Sequence, residues 1–131
     1  MRNEYEILRE MNHPNIVKLY SMINFSNFLI ISIKLAQESL DDYSRRRYDE
    51  GNPLTELELS KIAKGVLSGI KYIHEEKNLI HSDIKPLNIV VGDYQDLTKC
   101  WLIDFGLAIK NNSNSKEDMG NVGTFSYQPP E

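Results

Sequence analysis

Apolar residues recur most regularly between positions 59 and 74. There Leu59, Ile62, Ala63, Val66, Leu67, Ile70, Ile73 and His74 fall at helical spacing. Thr55 and Glu58 stand just ahead as a capping-box pair, predicting a helix of about twenty residues with one buried stripe. A shorter helical pattern covers residues 4–11. Ile7, Leu8 and Met11 share a face, and Glu4, Glu6, Arg9 and Glu10 lie largely off it. Asn12-His13-Pro14-Asn15 ends it, because the residue before a proline avoids helical angles. The runs 16–23 and 28–35 read as strands, with Asn24-Phe25-Ser26-Asn27 as the turn of a hairpin. Ser39-Leu40-Asp41-Asp42-Tyr43 opens a short polar helix, and the charged stretch 45–51 reads as a surface loop. Leu79-Ile80 leads into a polar stretch, and residues 88–91 and 100–103 form two short strands joined by the loop 92–99. Residues 111–121, rich in Asn and Ser, read as a mobile loop. No internal repeat is present.

Composition narrows the class. The 131 residues are 40% apolar and 26% charged, the balance of a soluble globular chain. A net charge of −4 gives no basic surplus for nucleic acid or an anionic membrane. Cys100 is the only cysteine, which excludes an internal disulfide and fits a reducing compartment. No apolar run is long enough to span a bilayer, and the charged start Met1-Arg2-Asn3-Glu4 is unlike a signal peptide. The expected location is therefore intracellular, cytoplasmic or nuclear.

The chemistry concentrates in His81-Ser82-Asp83-Ile84-Lys85-Pro86-Leu87-Asn88 and, further on, Ile103-Asp104-Phe105-Gly106-Leu107-Ala108. Two carboxylates, an amide and a lysine form the set that phosphoryl transfer from a nucleotide requires. Asp83 can accept or orient the proton of a substrate hydroxyl. Lys85 can stay beside the moving phosphoryl group as a point charge. Asn88 offers an amide oxygen to a hard cation, and Asp104 a carboxylate at a strand end. His81 is expected to be structural, packed under Phe105, and Gly106 to supply backbone freedom that aims Asp104. A plain polar turn would use the same residue types, so either segment alone carries little weight. Their combination favours the catalytic reading.

These segments resemble the catalytic and metal loops of the eukaryotic-type protein kinase family, Ser/Thr branch. Gly123-Thr124-Phe125-Ser126-Tyr127-Gln128-Pro129-Pro130-Glu131 resembles the end of a kinase activation segment, with Pro129 in place of alanine. Glu4 with Leu8 and Asn12-His13-Pro14-Asn15-Ile16-Val17 resembles the regulatory helix and the strand after it. The resemblance implies an α+β fold comprising part of a protein kinase domain over residues 1–131. Residues 1–38 would be an N-lobe remnant and hinge, a helix plus an antiparallel hairpin. Residues 39–131 would be the first half of a mainly helical C-lobe. It implies Asp83 as catalytic base and Lys85 on the γ-phosphate. It assigns Asn88 and Asp104 to Mg2+, Ile33 to the gatekeeper position, and Lys34, Leu35 and Ala36 to the hinge that meets adenine. Leu8, Leu19, His81 and Phe105 match the stacked regulatory spine. ATP, Mg2+ and a protein substrate are the implied reactants, with neither a nucleic acid nor a membrane segment involved.

The chain departs from the family in three ways. Ser82 replaces the arginine that usually precedes the catalytic aspartate, so activity should depend little on phosphorylation of Ser113 or Ser115. The Gly-rich loop and the lysine of an earlier strand are not found, which leaves Glu4 expected to lack a partner in this chain. The helices that normally follow the activation segment are also not found. A fragment is therefore expected. Alternatively, the chain is a catalytically inactive kinase-like binding or regulatory module; the retention of Asp83, Asn88 and Asp104 speaks against decay of the site.

Overall fold

A computed structural model of the chain describes residues 4–26, 28–111 and 123–127. The expected mobile loop lies almost wholly outside the described residues, as do Ser113, Ser115 and the terminal Gln128-Pro129-Pro130-Glu131.

Helix α1 (Glu4–Arg9) buries Ile7 and Leu8, with acids in its first turn and Arg9 in its last, both favourable to the helix dipole. After it, Asn15, Ile16 and Val17 are buried. Ile16 forms a parallel bridge with Leu102, and Val17 N–H donates to Leu102 O at 2.9 Å. This engagement explains why β1 (Leu19–Phe25) starts later than residue 16. β1 pairs antiparallel with β2 (Phe28–Ile33), Phe25 facing Phe28 and Ile23 facing Ile30 across a tight turn. The expected hairpin is therefore present as a two-stranded sheet of its own, although Asn24 and Phe25, expected in its turn, lie in β1 and pair with Leu29 and Phe28.

A second sheet holds β3 (Glu38–Ser39), β5 (Ile89–Val91) and β6 (Cys100–Leu102) in the order β3-β5-β6, all antiparallel. A third pairs β4 (Leu79–Ile80) with β7 (Ile109–Lys110). The β4–β7 pair was not legible in the sequence, because two-residue strands carry no periodicity. Together the helices and small antiparallel sheets make an α+β fold.

Two expectations are corrected. Residues 45–51 are mostly not a loop, since α2 (Leu40–Asp49) runs through them from its Ser39 cap. Its charges are paired: Arg45 with Asp41 at 2.6 Å, Arg46 with Glu38 at 2.6 Å and Arg47 with Glu58 at 2.9 Å. The Arg47 guanidinium, helped by the Thr55 N–H and hydroxyl, holds the Glu58 carboxyl at about 2. The same glutamate closes the capping box that starts α3 (Glu56–Glu75), as expected. The buried face of α3 is displaced from the expected stripe. Ile62, Gly65, Gly69, Tyr72 and Ile73 are buried, whereas Leu59, Ala63, Leu67 and His74 are exposed. Glycines, invisible to a hydrophobic pattern, set that face. A Cβ on Gly69 would lie 2.9 Å from Asn15 O, and one on Gly65 would lie 2.7 Å from Cys100 Sγ.

Candidate active site

The catalytic-loop stretch leaves β4 through Ser82, which adopts a left-handed backbone (φ 67°). His81 fixes the loop from below. Its Nε2 lies 3.0 Å from Ile103 O, and its Nδ1 accepts the Asp83 N–H at 3.3 Å. That pairing requires a neutral ring with the proton on Nε2. The ring sits 4.7 Å from that of Phe105, tilted by 55°, so the expected packing of His81 under Phe105 is present. Burial pushes the His81 imidazole below its ordinary value, against upward pulls from the Ile103 carbonyl and from Asp104 and Asp83. Both carboxylates therefore lie within electrostatic reach of this ring.

Asp83 is 6% exposed, and both its oxygens are engaged. Oδ1 accepts from Thr124 N at 2.9 Å and from Thr124 Oγ1 at 2.6 Å. Oδ2 lies 2.7 Å from Lys85 Nζ and accepts from Asn88 Nδ2 at 2.9 Å. Burial alone would raise the Asp83 pKa; Lys85 and the Thr124 hydroxyl and N–H outweigh it and hold the carboxyl at about 2. Lys85 Nζ also donates to Thr124 Oγ1 at 2.6 Å. Gly123 (φ 103°) makes this closure possible. A Cβ there would lie 2.3 Å from Ser82 O, so only glycine lets the chain come this close.

Asn88 closes a 3-10 turn that begins at Pro86, just after the extended Lys85. Its Nδ2 donates to Asp83 O and Asp83 Oδ2, both at 2.9 Å, which fixes the amide and leaves Oδ1 as the face for a cation. Asn88 O accepts from Ile103 N at 3.0 Å, tying this turn to the residue before Asp104. Asp104 is exposed and itself left-handed (φ 62°), its Oδ1 accepting from Gly106 N at 3.2 Å. The freedom expected of Gly106 is thus corrected: the unusual angle falls on Asp104. Gly106 matters because a Cβ there would crowd Asp104 Oδ1 at 3.2 Å.

Glu4 also corrects its expectation. Its Oε1 accepts the Phe105 N–H at 3.1 Å, so α1 holds the segment after Asp104 directly. Leu8 and Phe105 are buried in one apolar cluster, and Leu19 packs against it. Ile33 closes β2, and Lys34 and Ala36 follow it on the segment that leads to β3. Gln37 N, at the end of that segment, donates to Val91 O at 2.9 Å. Sequence reasoning missed Asn15. Its buried amide donates to Thr98 O at 3.0 Å and Cys100 O at 2.7 Å. The fixed pair His13 and Asn15, around a proline in a short loop, was the only available signal.

The donor set fits a small hard cation. Asn88 and Asp104 offer oxygens, and Mg2+ characteristically takes one or two protein oxygens and completes its shell from phosphate and water. Among the described residues no three His, Cys, Asp or Glu side chains form a metal cluster.

The protein-kinase-domain family model matches residues 1–131. Calcium-dependent protein kinase 5 of Plasmodium berghei (strain Anka) is 36% identical over 135 residues, covering 100% of this chain and 22% of the relative. Rat myosin light chain kinase 2, skeletal/cardiac muscle, is 33% identical over 129 residues, covering 98% and 20%. Human serine/threonine-protein kinase Nek10 is 34% identical over 131 residues, covering 98% and 11%. The chain spans well under half the length of these relatives. With the family model matched from end to end, over a loop that gathers Lys85, Asn88 and Thr124 on Asp83, the chain belongs to the protein kinase family.

Proposed function

We propose that this chain carries the catalytic loop and metal loop of a serine/threonine kinase that transfers the γ-phosphate of ATP to a protein hydroxyl. The observation that carries this reading is the Asp83 carboxylate, held between Lys85, Asn88 and Thr124. A carboxylate held at about 2 is a weak base. Asp83 therefore orients the attacking hydroxyl and takes its proton late, once the new P–O bond is well advanced. That suits a loose transition state, in which the nucleophile needs little activation. Lys85 keeps a positive charge at that point, and the Thr124 hydroxyl bridges the two. Asn88 Oδ1 and the Asp104 carboxylate would hold Mg2+, which when bound offsets phosphate charge. An intracellular site of action, cytoplasmic or nuclear, fits the supply of ATP.

The test uses the full-length protein. Asp83→Asn should lower phosphate transfer by about 10²–10⁴-fold, the range for losing a positioned acid–base group, with MgATP affinity nearly intact. Asp104→Asn should weaken MgATP binding itself in calorimetry. Equal losses of affinity in both variants would overturn the division of roles. A parent protein that binds MgATP yet transfers no phosphate would favour the inactive regulatory module.

A further inference from the structure

Lys34 and Trp101 form a contact that none of the roles above uses. Lys34 Nζ sits 4.2 Å from the centroid of the Trp101 ring. Trp101 is 3% exposed, and its Nε1 is buried without a hydrogen-bond partner among the described residues. Leaving that N–H unmet costs stability, and a phenylalanine would avoid the cost. The indole adds instead the larger, more electron-rich face, the best aromatic partner for a cation. The ring lies against Gly92, where a Cβ would be only 2.0 Å from it, so the backbone is cut back to admit it.

The position of this contact gives it meaning. Trp101 pairs with Val90 across the β5–β6 hairpin, the hairpin that begins just after Asn88 and ends just before Asp104. The segment 34–37 is therefore fastened to one hairpin at both ends. The Lys34 side chain sits on Trp101, and Gln37 N–H donates to Val91 O at 2.9 Å. Between them Ala36 packs on the core and Leu35 is exposed.

We infer that the Lys34–Trp101 contact is a clamp that sets the nucleotide-base end of the cleft at a fixed height over the Asn88–Asp104 end. Lys34 and Trp101 are positioning residues, and the inference rests on the kinase reading above. Without the clamp the base-binding segment shifts against the metal loop, and affinity for the adenosine moiety falls.

Calorimetry on the full-length protein tests it with adenosine and with MgATP. Lys34→Met keeps the stem and removes the charge; it should weaken both ligands by the same factor, about two- to fivefold, the scale of a cation–ring contact made by an exposed lysine. The loss should fall on the KM for ATP rather than on kcat. Lys34→Arg should restore binding, because a guanidinium also stacks on an indole. Trp101→Phe should weaken both ligands while melting no lower than a packing loss alone predicts, since it removes the unmet N–H. Lys34→Met binding adenosine as tightly as the parent would overturn the clamp and leave the kinase reading intact. A parent protein that binds no MgATP would overturn both.

Discussion

At the residue scale, the site depends on protonation states imposed by neighbours. His81 is buried neutral, so the unfolded chain binds its proton more readily than the folded one. Stability should therefore fall as pH drops below about 6.5, and by NMR the His81 ring should take up its proton at lower pH than a free histidine. A ring that titrates like a free histidine would contradict the pairing with Asp83 N–H and Ile103 O. Asp83 and Glu58 act at lower pH. Each is held at about 2, below ordinary values of 3.8 and 4.5. Their contribution is complete above those ordinary values and is lost as pH falls toward 2. Acid unfolding followed by circular dichroism should lose a step in Glu58→Gln. That Asp83, Lys85 and Asn88 meet was legible in the sequence, because they stand within six positions of one another. The Thr124 contact was not, because it joins residues 41 apart. The Glu4 contact with Phe105 spans 101 residues and was likewise out of reach of local pattern.

At the element scale, short-range rules held where a terminus carried its own chemistry. The capping box placed the start of α3, and the turn placed the hairpin. They failed for the charged half of α2, where hydrophilicity suggested a loop. There the helix is held by charge pairs and by a single buried residue, Tyr43. They failed again for the face of α3, where Gly65 and Gly69 approach the Asn15 loop and β6. Gly69→Ala tests that approach. Alanine gains about 1 kcal/mol of helix propensity over glycine, but overpacking a tight interface costs about 1–3 kcal/mol, so a net loss is expected in chemical denaturation. Asn15→Ala removes the donor to Cys100 O, a buried bond, and to the part-buried Thr98 O. It should cost about 1–3 kcal/mol, more than the deletion of any exposed pair on α2.

At the scale of the whole molecule, apolar burial is uneven. The core includes Ile7, Ile73, Leu79, Val91, Leu102 and Phe105. The β1–β2 hairpin instead leaves Phe25 and Phe28 68% and 71% exposed. A two-stranded sheet with so little of either face covered has little local stability. In hydrogen exchange on this chain alone, amides of β1 and β2 should exchange well before those of β5 and β6. Equal protection would show that the hairpin is supported from elsewhere. The left-handed backbone at Asp104 has its own consequence. Any residue other than glycine is held there at a cost of about 1 kcal/mol, so Asp104→Gly should melt close to the parent while losing MgATP binding. Folding alone would tolerate glycine at this position. The fold therefore gives no reason of its own for a carboxylate here.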